Sequence, residues 1–588
     1  MARRTVAKKA RPARRRVAVD GDRASPSVAP SWLPWGLALL LAAATALAYA
    51  NAVHGALVHD DSSVDPSALP TTLAGIATLF RERLWANLTS AVALYRPLLF
   101  AGFAVENLLH GPDPRAFHAT TVALHVAATL ALFGFLRALL ADGGHRGARA
   151  SLPAFAAALI FGVHPIHTDA IDSVFNRSDV VVALCALGAM WLVWRHEPTR
   201  PALAWAGAAA LYFAALLHKE SAVCIPPLLA LLPLLRPDPP GWRALARRAA
   251  PVLWLAIPTA VYLLMRRSAL GGFVPAAEPT IPWGQRVTFT AATVVDAFRM
   301  VAWPHPLRAS YADDRPAWPL ASCALVLALL AAAARWWRRS PSAFVGFVGF
   351  LACLLPSTKI VTGQLAHYLG ERHIYLGTAV LAIPLAVGLA RAFERWGAVP
   401  LAASLVVVPA LAMLTWERNE QWHSNVALFE AEAAAAPQAG DSWRLLTGAY
   451  LGVGRPDEAA LACDAHLASH WGLPLLANNC AGAYERVGRD ADAERAYRRA
   501  ADLGLGSVAR HNLGRLLARL GRSAEAEEQY RRSAAEETDP VRKHYRQGMT
   551  LVLFHPDRLA EARREFEAAL ALQPRYEPAR RMLGGAGP

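Results

Sequence analysis

Ionisable side chains in this chain stand at the ends of long apolar segments. They comprise an acidic pair, two clusters that combine acidic with basic or imidazole groups, and several further cations and carboxylates. The set is Asp60, Asp61, Arg96, His164, His167, Asp169, Arg177, Asp179, Lys219, Glu220, Glu371 and Arg372. At the end of an apolar helix such a group is costly unless it is hydrated, paired or faces a cavity. Their number therefore predicts a polar cavity at one end of a helix bundle.

Carboxylates and cations in one cavity could transfer a group from a phosphate to a hydroxyl. A carboxylate can take the proton of an attacking hydroxyl, and arginine or lysine can hold a departing phosphate. We assign the proton-accepting role to Asp60 and Asp61. Outside a membrane, where no nucleotide sugar is available, this chemistry suits the transfer of a sugar from a lipid phosphate.

A divalent metal ion is the competing interpretation of the same cluster. Its ligands would be Asp60, Asp61, His164, His167 and Asp169. These side chains would supply hard oxygen and nitrogen ligands. His164 and His167 are three residues apart and would share a helix face, but the intervening Pro165 weakens that arrangement. For the two histidines alone, capping or loop hydrogen bonds are the more common role.

The charged residues also have structural interpretations. The acidic pair could cap a juxtamembrane helix. Lys219 and Glu220 could neutralise each other at the interface, and Glu371 and Arg372 could form an interhelical salt bridge. The functional interpretation is favoured for the acidic pair, because it lies at the mouth of the predicted cavity. For the other two pairs both interpretations stay open.

Composition indicates a membrane protein with a soluble part attached. Of 588 residues, 55% are hydrophobic and 18% are charged, and the mean hydropathy is +0.25. A soluble protein carries about 25% charged residues. These values exclude a disordered chain, a disulfide scaffold and an ordinary soluble enzyme. The net charge of +15 is unevenly distributed and does not describe one basic surface.

Eleven uncharged runs predict eleven membrane spans. They are 32–50, 117–136, 150–168, 180–194, 201–218, 221–235, 249–265, 316–334, 340–358, 373–390 and 396–416. With the N-terminus inside, every arginine cluster between these runs falls on the cytoplasmic side. The segment 287–301, which is interrupted by Asp296 and Arg299, is then an outer juxtamembrane helix. Because eleven is odd, everything after Trp416 lies outside.

Residues 1–31 carry nine lysines and arginines with several prolines and serines, which predicts a disordered cytoplasmic tail. This positive charge could bind nucleic acid. Retention of the N-terminus on the cytoplasmic side by the positive charges is favoured over nucleic-acid binding. We therefore expect no nucleic-acid partner.

The segment after the last span is repetitive. Tyr450, Gly454, Ala459 and Cys463 recur after 34 residues as Tyr484, Gly488, Ala493 and Tyr497, and after 33 more as Leu517, Gly521, Ala526 and Tyr530. A fourth copy ends near residue 574, and the pattern over 440–574 resembles the tetratricopeptide repeat. Such repeats stack into a solenoid whose concave groove holds a peptide or a partner. Cys463 and Cys480 fall on adjacent helices, where two buried thiols are favoured over a disulfide.

The order of the motifs resembles the family of transmembrane and tetratricopeptide-repeat O-mannosyltransferases and their bacterial relatives. The motifs are Asp60-Asp61, Tyr95-Arg96-Pro97-Leu98, His164-Pro165-Ile166-His167-Thr168-Asp169, Arg177-Ser178-Asp179, His218-Lys219-Glu220 and Glu371-Arg372-His373-Ile374-Tyr375-Leu376. The resemblance implies a GT-C-type membrane fold, a polyprenyl-phosphate sugar donor, and inverting transfer to serine or threonine hydroxyls. It also implies that the repeats face the lumen or periplasm.

The resemblance implies roles for the site residues as well. The acidic pair of the first outer loop is Asp60 and Asp61. The residues that would bind the donor phosphate are Lys219, Arg372, Arg96 and Arg177. The supporting residues are His164, His167, Asp169, Asp179, Glu220 and Glu371.

These observations predict an all-α protein with four parts. Residues 1–31 form the tail, 32–416 a GT-C-like glycosyltransferase domain, 417–439 a connecting helix or degenerate repeat, and 440–588 about four tetratricopeptide repeats. The predicted activity moves a sugar, mannose by the resemblance, from a polyprenyl phosphate to exported proteins that the repeats bind. The predicted location is a bacterial inner membrane, with a cytoplasmic N-terminus and extracytoplasmic repeats.

Two other function classes compete with the enzyme. A non-catalytic membrane scaffold would act only through its repeats, and a transporter would need charges near the centres of its spans. Charges in this chain instead cluster at the outer ends, which disfavours the transporter. Convergence of Asp60 and Asp61 with Lys219 and Arg372 within about 10 Å would favour the enzyme over the scaffold, since reacting groups must meet one substrate.

Overall fold

The computed structural model describes residues 30–81, 94–271, 281–311, 318–363, 369–467, 469–470, 472–574 and 576–584. Over these residues the chain folds into helices and connecting loops, without a β-strand. The predicted all-α class is therefore confirmed. The predicted N-terminal tail, apart from residues 30 and 31, lies outside the described residues.

The apolar part of the chain contributes the first seventeen α-helices of the described residues. They are α1 (Leu33–Ala48), α2 (Leu73–Thr78), α3 (Pro97–His110), α4 (Pro114–Asp142), α5 (Ala148–Gly162), α6 (Thr168–Ile171), α7 (Arg177–His196), α8 (Pro201–His218), α9 (Ile225–Leu231), α10 (Trp242–Ala249), α11 (Ala256–Leu270), α12 (Trp283–Ala302), α13 (Pro319–Trp336), α14 (Pro341–Leu354), α15 (Lys359–Thr362), α16 (Tyr375–Trp396) and α17 (Val399–Gln421). Many begin at a proline, whose missing N–H costs nothing in the first turn.

Each of the eleven predicted runs coincides with an apolar helix or a joined pair of helices. Over the described residues, eight are long and apolar enough to cross a membrane, and a ninth counts if α5 and Pro165–Ile171, bent by 51°, form one span. The two remaining runs coincide with the shorter apolar helices Glu220–Leu235 and Pro319–Arg335. The chain is thus an integral membrane protein, and its eleven-span topology stays a prediction.

The predicted juxtamembrane helix is α12, which is outside the set of candidate spans. One of its faces is buried through Thr290, Ala297 and Met300, and the helix contacts α13 and α15. Trp283 and Val287 on the same helix are exposed. This two-faced character is that of a helix at an interface.

The core of the membrane part lies among α4, α5, α7 and α16. Small residues let neighbouring helices approach closely, as in other membrane proteins. A Cβ added at Gly377 of α16 would lie 2.8 Å from the ring of Phe350 in α14. One added at Gly346 of α14 would lie 2.6 Å from Pro384 of α16. This packing fixes α16, which follows directly after the predicted site residues Glu371 and Arg372.

The remaining α-helices of the described chain form a second body of antiparallel pairs. They are α18 (Asn425–Ala435), α19 (Gly440–Gly452), α20 (Pro456–His466), α21 (Pro474–Arg486), α22 (Asp490–Ala500), α23 (Gly506–Arg519), α24 (Ser523–Glu536), α25 (Pro540–Phe554), α26 (Leu559–Leu572) and α27 (Glu577–Gly584). The turn glycines Gly454, Gly488 and Gly521 have φ angles of 74°, 76° and 76°. This left-handed backbone conformation favours glycine, which explains why glycine recurs with the period of the repeat. The predicted repeats are confirmed.

The expectation of two free thiols in the repeats is wrong. Cys463 of α20 and Cys480 of α21 form a disulfide, with their Cα atoms 5.6 Å apart. Stacking of consecutive repeats brings the two helices side by side, and this separation is ordinary for a disulfide. Spacing along the sequence did not reveal how closely the two β-carbons approach.

Replacing Ala493 with tryptophan should unfold the repeats locally. Ala493 is fully buried in α22, where a large side chain would overpack the contact with α21. We expect the free energy of unfolding to fall by about 1–3 kcal/mol or more. Thermal melting of the full chain in detergent, followed by limited proteolysis of the repeats, would measure this. Ala491→Trp on the exposed side of α22 is the matched control. Equal melting of the two variants would contradict the assigned packing.

Removing the disulfide with Cys463→Ser/Cys480→Ser should lower the melting temperature of the repeats. The bridge closes a loop with a sequence separation of 17 residues. A loop of this size corresponds to about 3 kcal/mol in the chain-entropy account. Cys323→Ser, a free cysteine in α13, is the control. Alkylation of both cysteines in the folded, non-reduced chain would show that the bridge does not form.

Candidate functional site

The acidic pair lies on the short 3₁₀ turn His59–Ser63, which follows the first apolar helix. The two carboxylates have opposite environments. The side chain of Asp60 is 33% exposed, and its Oδ2 lies 3.4 Å from Nη2 of Arg372. Its Oδ1 lies 3.2 Å from Nδ1 of His59. Asp60 is therefore a partly hydrated carboxylate in contact with a cation.

Asp61 is fully buried and serves as an acceptor for three donors. Its Oδ1 accepts from the hydroxyl of Ser173 and the backbone N–H of Phe175, each at 2.8 Å, and its Oδ2 accepts from the N–H of Val174 at 3.0 Å. Burial raises the pKa of Asp61 to about 6, and these hydrogen bonds act in the opposite direction. Asp61 thus ties the first loop to the connection between α6 and α7.

Arg372 lies between two carboxylates from distant parts of the chain. Its backbone N–H donates to Oδ2 of Asp169 at 3.0 Å, and its Nη1 lies 3.3 Å from both oxygens of the same carboxylate. Asp60 lies on the other side of the guanidinium group. The amide of Asn176 donates to Oδ1 of Asp169 at 3.0 Å and orients it. Arg372 is thereby fixed next to Asp60.

The second predicted cation, Lys219, is buried and forms an ion pair with Asp179 of α7. Arg372 is close enough to Asp179 to interact with it electrostatically. Asp179 and Arg372 also line one small cavity of ≈ 20 Å³, together with His373. The Asp60–Arg372 and Asp179–Lys219 pairs are therefore neighbours across this small cavity.

The other predicted cations are neutralised elsewhere. Arg96 makes a bidentate contact with Glu220, at 2.8 and 3.2 Å. Arg177 pairs with Glu106 of α3, and it also donates to the carbonyl of Phe117 at 2.8 Å. The pairing of Lys219 with Glu220 that the sequence suggested is replaced by these partners. Sequence patterns missed Glu106, because α3 otherwise has the composition of an apolar helix.

The two histidines of the metal hypothesis are engaged in hydrogen bonds. Nε2 of His164 lies 3.0 Å from the carbonyl of Val301, and Nε2 of His167 lies 2.7 Å from the hydroxyl of Thr378. Within the part of the chain that the structure describes, no three His, Cys, Asp or Glu side chains form a group that could hold a metal ion. The five proposed ligands therefore do not form a ligand set.

Glu371 holds a segment between α12 and α13. Its Oε1 accepts from the backbone N–H of Arg308 and from the hydroxyl of Tyr311, each at 2.6 Å. On the other side of this segment, Glu432 of α18 accepts from the N–H of Ala309 at 2.6 Å. We call residues 307–311 the strap. The strap connects Glu371, which is next to Arg372 in the sequence, to α18, the first helix after the membrane part.

A cavity of ≈ 530 Å³ opens beside Asp60, between the first loop and the repeats. Its lining consists of His59, Asp60, Asn425, Phe429, Arg444, Leu445, Gly448, Ala449, Gly452, Val453 and Asn479. We call it the interdomain cavity. His59 has a φ of 53°, a strained conformation for a residue with a side chain. Its N–H donates to Oδ1 of Asn425 at 2.8 Å, so the contact with α18 stabilises the turn that presents Asp60.

Comparisons with known proteins agree with the resemblance seen in the motifs. The chain is 36% identical over 180 residues to "Protein O-mannosyl-transferase TMTC1" of Mus musculus, covering 28% of this chain and 18% of that protein. It is 31% identical over 171 residues to "Protein O-mannosyl-transferase TMTC2" of Mus musculus, covering 28% of this chain and 19% of that protein. It is 30% identical over 204 residues to "Protein O-mannosyl-transferase Tmtc1" of Drosophila melanogaster, covering 34% of this chain and 23% of that protein.

The match is partial in each case. The chain covers about a fifth of the length of these curated relatives. No family model matches the chain. A solved structure, "Crystal structure of APC/C hetero-tetramer Cut9-Hcn1", covers 83% of this chain and 89% of that chain, at 14% identity and a TM-score of 0.25. That score is too low to support an argument. The sequence matches nevertheless confirm the resemblance: over about a third of its length the chain is similar to the TMTC protein O-mannosyl-transferases.

Proposed function

We propose that the chain is a membrane glycosyltransferase that moves a sugar, mannose by analogy with its relatives, from a polyprenyl-phosphate donor to hydroxyls of exported proteins. The observation that carries the proposal is the contact between Asp60 and Arg372 at the edge of the interdomain cavity. A proton acceptor and a phosphate-binding cation are thereby side by side, and both are accessible. The names of the related proteins support the choice of reaction.

In the proposed reaction Asp60 acts as the general base. It takes the proton of a serine or threonine hydroxyl while the hydroxyl oxygen attacks the anomeric carbon of the donor. The new bond forms as the bond between that carbon and the phosphate oxygen breaks, and the polyprenyl phosphate leaves. One displacement of this kind inverts the configuration of the sugar.

Arg372 is the proposed ligand of the departing phosphate. Asp169 fixes its backbone and one side of its guanidinium group, while Nη2 on the other side lies against Asp60. A negative charge that develops on the phosphate would be met by donors already in place, which is how electrostatic catalysis lowers a barrier. Lys219, paired with Asp179, is the proposed second cation on the donor side.

The remaining predicted residues receive positioning roles in this proposal. Asp61 has three donors and no exposure, so we assign it to holding the loop that presents Asp60. Arg96 and Arg177 are paired with Glu220 and Glu106 and would have to break those pairs to reach a phosphate. Lys219 is also paired, but its partner Asp179 lines the same small cavity as Arg372. We therefore assign the donor phosphate to Arg372, with Lys219 as the second cation once it is released from Asp179.

The repeats are the proposed binding surface for the acceptor. The interdomain cavity extends from Asp60 along α19, where Gly448 and Gly452 leave the helix face bare. A segment of an acceptor that lies along α19 would bring a hydroxyl to Asp60 without any movement of the repeats. Asn479 and Arg444 provide polar groups at the side of this path.

We further propose that this face of the protein lies outside the cytoplasm, in a bacterial inner membrane. The disulfide between Cys463 and Cys480 supports this orientation, because disulfides persist in oxidising compartments. The arginine clusters of the opposite loops support it through the positive-inside rule.

Replacing Asp60 with asparagine should abolish proton acceptance while keeping the size of the side chain. We expect transfer to fall by about 10²–10⁴-fold, the usual contribution of a general base. Donor binding should be retained, since Arg372 keeps its contacts with Asp169. The measurement is transfer from polyprenyl-phosphate mannose to a serine- and threonine-containing acceptor by the purified chain.

Two variants of the same loop serve as controls for this change. Asp65→Asn affects an exposed carboxylate that caps a turn, and it should leave transfer unchanged. Asp61→Asn should impair folding first, because an amide cannot accept all three hydrogen bonds and leaves a buried donor unpaired, at about 1–3 kcal/mol. Full transfer by Asp60→Asn would exclude Asp60 as the general base, and no transfer by the wild-type chain would favour the non-catalytic scaffold.

Filling the interdomain cavity with Gly452→Trp should weaken acceptor binding. No atom lies within 4 Å of a Cβ added at Gly452, so the substitution need not disturb α19. We expect the KM for the acceptor to rise at least about tenfold, with the KM for the donor unchanged. Leu461→Trp, at an exposed position of α20, is the control. An unchanged KM for the acceptor would exclude this path to Asp60.

A further inference from the structure

A second cavity lies at the end of the helix bundle opposite to Asp60. It has a volume of ≈ 550 Å³ and is formed by the ends of α4, α14 and α16 with the segment after α9. Arg391 follows Tyr375 by 16 residues along α16, which is about 24 Å in an α-helix. That distance is close to the thickness of a membrane core. The cavity therefore opens at the other membrane surface.

Apolar and basic side chains make up most of the lining of this cavity, which also includes Glu394, Ser342 and three prolines. Leucines and a valine form the floor: Leu139, Leu140, Leu234, Leu235 and Val387. Basic groups form the rim: His145, Arg236, Arg338, Arg339 and Arg391. An apolar floor beneath a cationic rim matches a molecule with an anionic head and an apolar body. We call this the basal cavity.

Only part of this positive charge is balanced by the protein. Arg236 lies 3.3 Å from Asp142, and His145 lies 3.1 Å from Glu394. Arg338, Arg339 and Arg391 pair with no carboxylate among the residues that the structure describes. All three are exposed. Three exposed guanidinium groups at one rim form a positive patch that attracts anions.

The surroundings identify this end of the bundle as a membrane interface. Trp242 is 57% exposed and Trp396 is 58% exposed, and both stand at helix ends beside arginines. Tryptophan with basic residues marks the level of lipid headgroups. Helix α10, with the sequence WRALARRA, has this character along its whole length. A ligand of the basal cavity would therefore enter from the membrane.

We propose that the basal cavity binds the phosphate headgroup of an anionic phospholipid. Arg338, Arg339 and Arg391 bind the phosphate through charge-assisted hydrogen bonds, and the acyl chains extend along Leu139 and Leu235. Basic pockets between membrane helices are suited to such headgroups. The leucine floor and the position of the cavity at the membrane interface favour a lipid over a soluble phosphate. This site is separate from Asp60 and does not depend on the proposed transferase activity.

The test is binding of fluorescent phosphatidylglycerol to the purified full-length chain in detergent, with fluorescent phosphatidylcholine as the comparison. The wild-type chain should bind phosphatidylglycerol at least about tenfold more tightly. Arg338→Gln/Arg339→Gln/Arg391→Gln should lose this preference, and the corresponding triple lysine variant should retain most of it. Equal affinity of the wild-type chain for the two lipids would overturn the proposal.

A matched control separates the cavity from general surface charge. Arg149→Gln/Arg200→Gln/Arg243→Gln removes three exposed arginines from the same end of the bundle, outside the cavity lining. This variant should keep the preference, and an equal loss would overturn the proposal. Displacement of the labelled lipid by inorganic phosphate at similar concentrations would indicate a soluble anion and would also overturn it.

A measurement on the wild-type chain keeps the test decisive if the glutamine variant does not fold. Phosphatidylglycerol with a photoactivatable headgroup is bound, cross-linked and mapped by mass spectrometry. The label should be recovered on peptides that contain residues 338–342 or 391–394. Labelling spread over the surface without enrichment at these peptides would contradict the site.

Discussion

The arrangement of this protein depends on how it neutralises Arg372 at the end of an apolar helix bundle. A guanidinium group cannot lose its charge, so it must be paired where water is scarce. Asp169 supplies one carboxylate and Asp60 supplies the other, and the two come from separate loops. The pairing brings the first loop, the bent segment after α5 and the start of α16 to one point. Most of the other contacts in the site serve to hold these three segments in place.

The helix that joins the membrane part to the repeats, α18, is part of that arrangement. Glu371, next to Arg372, holds one edge of the strap, and Glu432 of α18 holds the other. The turn that carries Asp60 is fixed by Asn425 of the same helix. Both sides of the Asp60–Arg372 contact are therefore supported by α18. The repeats and the membrane part form one continuous structure around the interdomain cavity, which a passive anchor for a scaffold would not require.

Much of this organisation could be predicted from periodicity and charge. Apolar runs reveal the spans and turn glycines reveal the repeats, because both kinds of element are determined by residues that are close together along the chain. The charged residues of the site were recognisable because a charge in apolar sequence needs an explanation. Their partners were not: Lys219 pairs with Asp179 and Arg177 with Glu106, contacts of 40 and 71 residues in separation. Only the packing of α3, α7 and α8 decides which carboxylate meets which cation.

The same limit explains the errors and omissions of sequence reasoning. Asp60 and Asp61 look equivalent in the sequence, yet one is partly exposed beside Arg372 and the other is buried with three donors. Consecutive side chains of a 3₁₀ turn point in different directions. Adjacency in the sequence therefore predicted one shared role for the two carboxylates, whereas their surroundings in the structure differ. Glu432 lies in an alanine-rich stretch without any signature. Its importance arises from the strap, which comes from 123 residues earlier in the chain.

We propose that this chain attaches a sugar to exported proteins. The most direct measurement is a mass-spectrometric comparison of the glycoproteins of the cell envelope with and without the chain, complemented by the wild-type or the Asp60→Asn form. We predict that hexose-modified serine and threonine peptides disappear on deletion and return only with the wild-type form. An unchanged set of modified peptides, or restoration by both forms, would contradict the account.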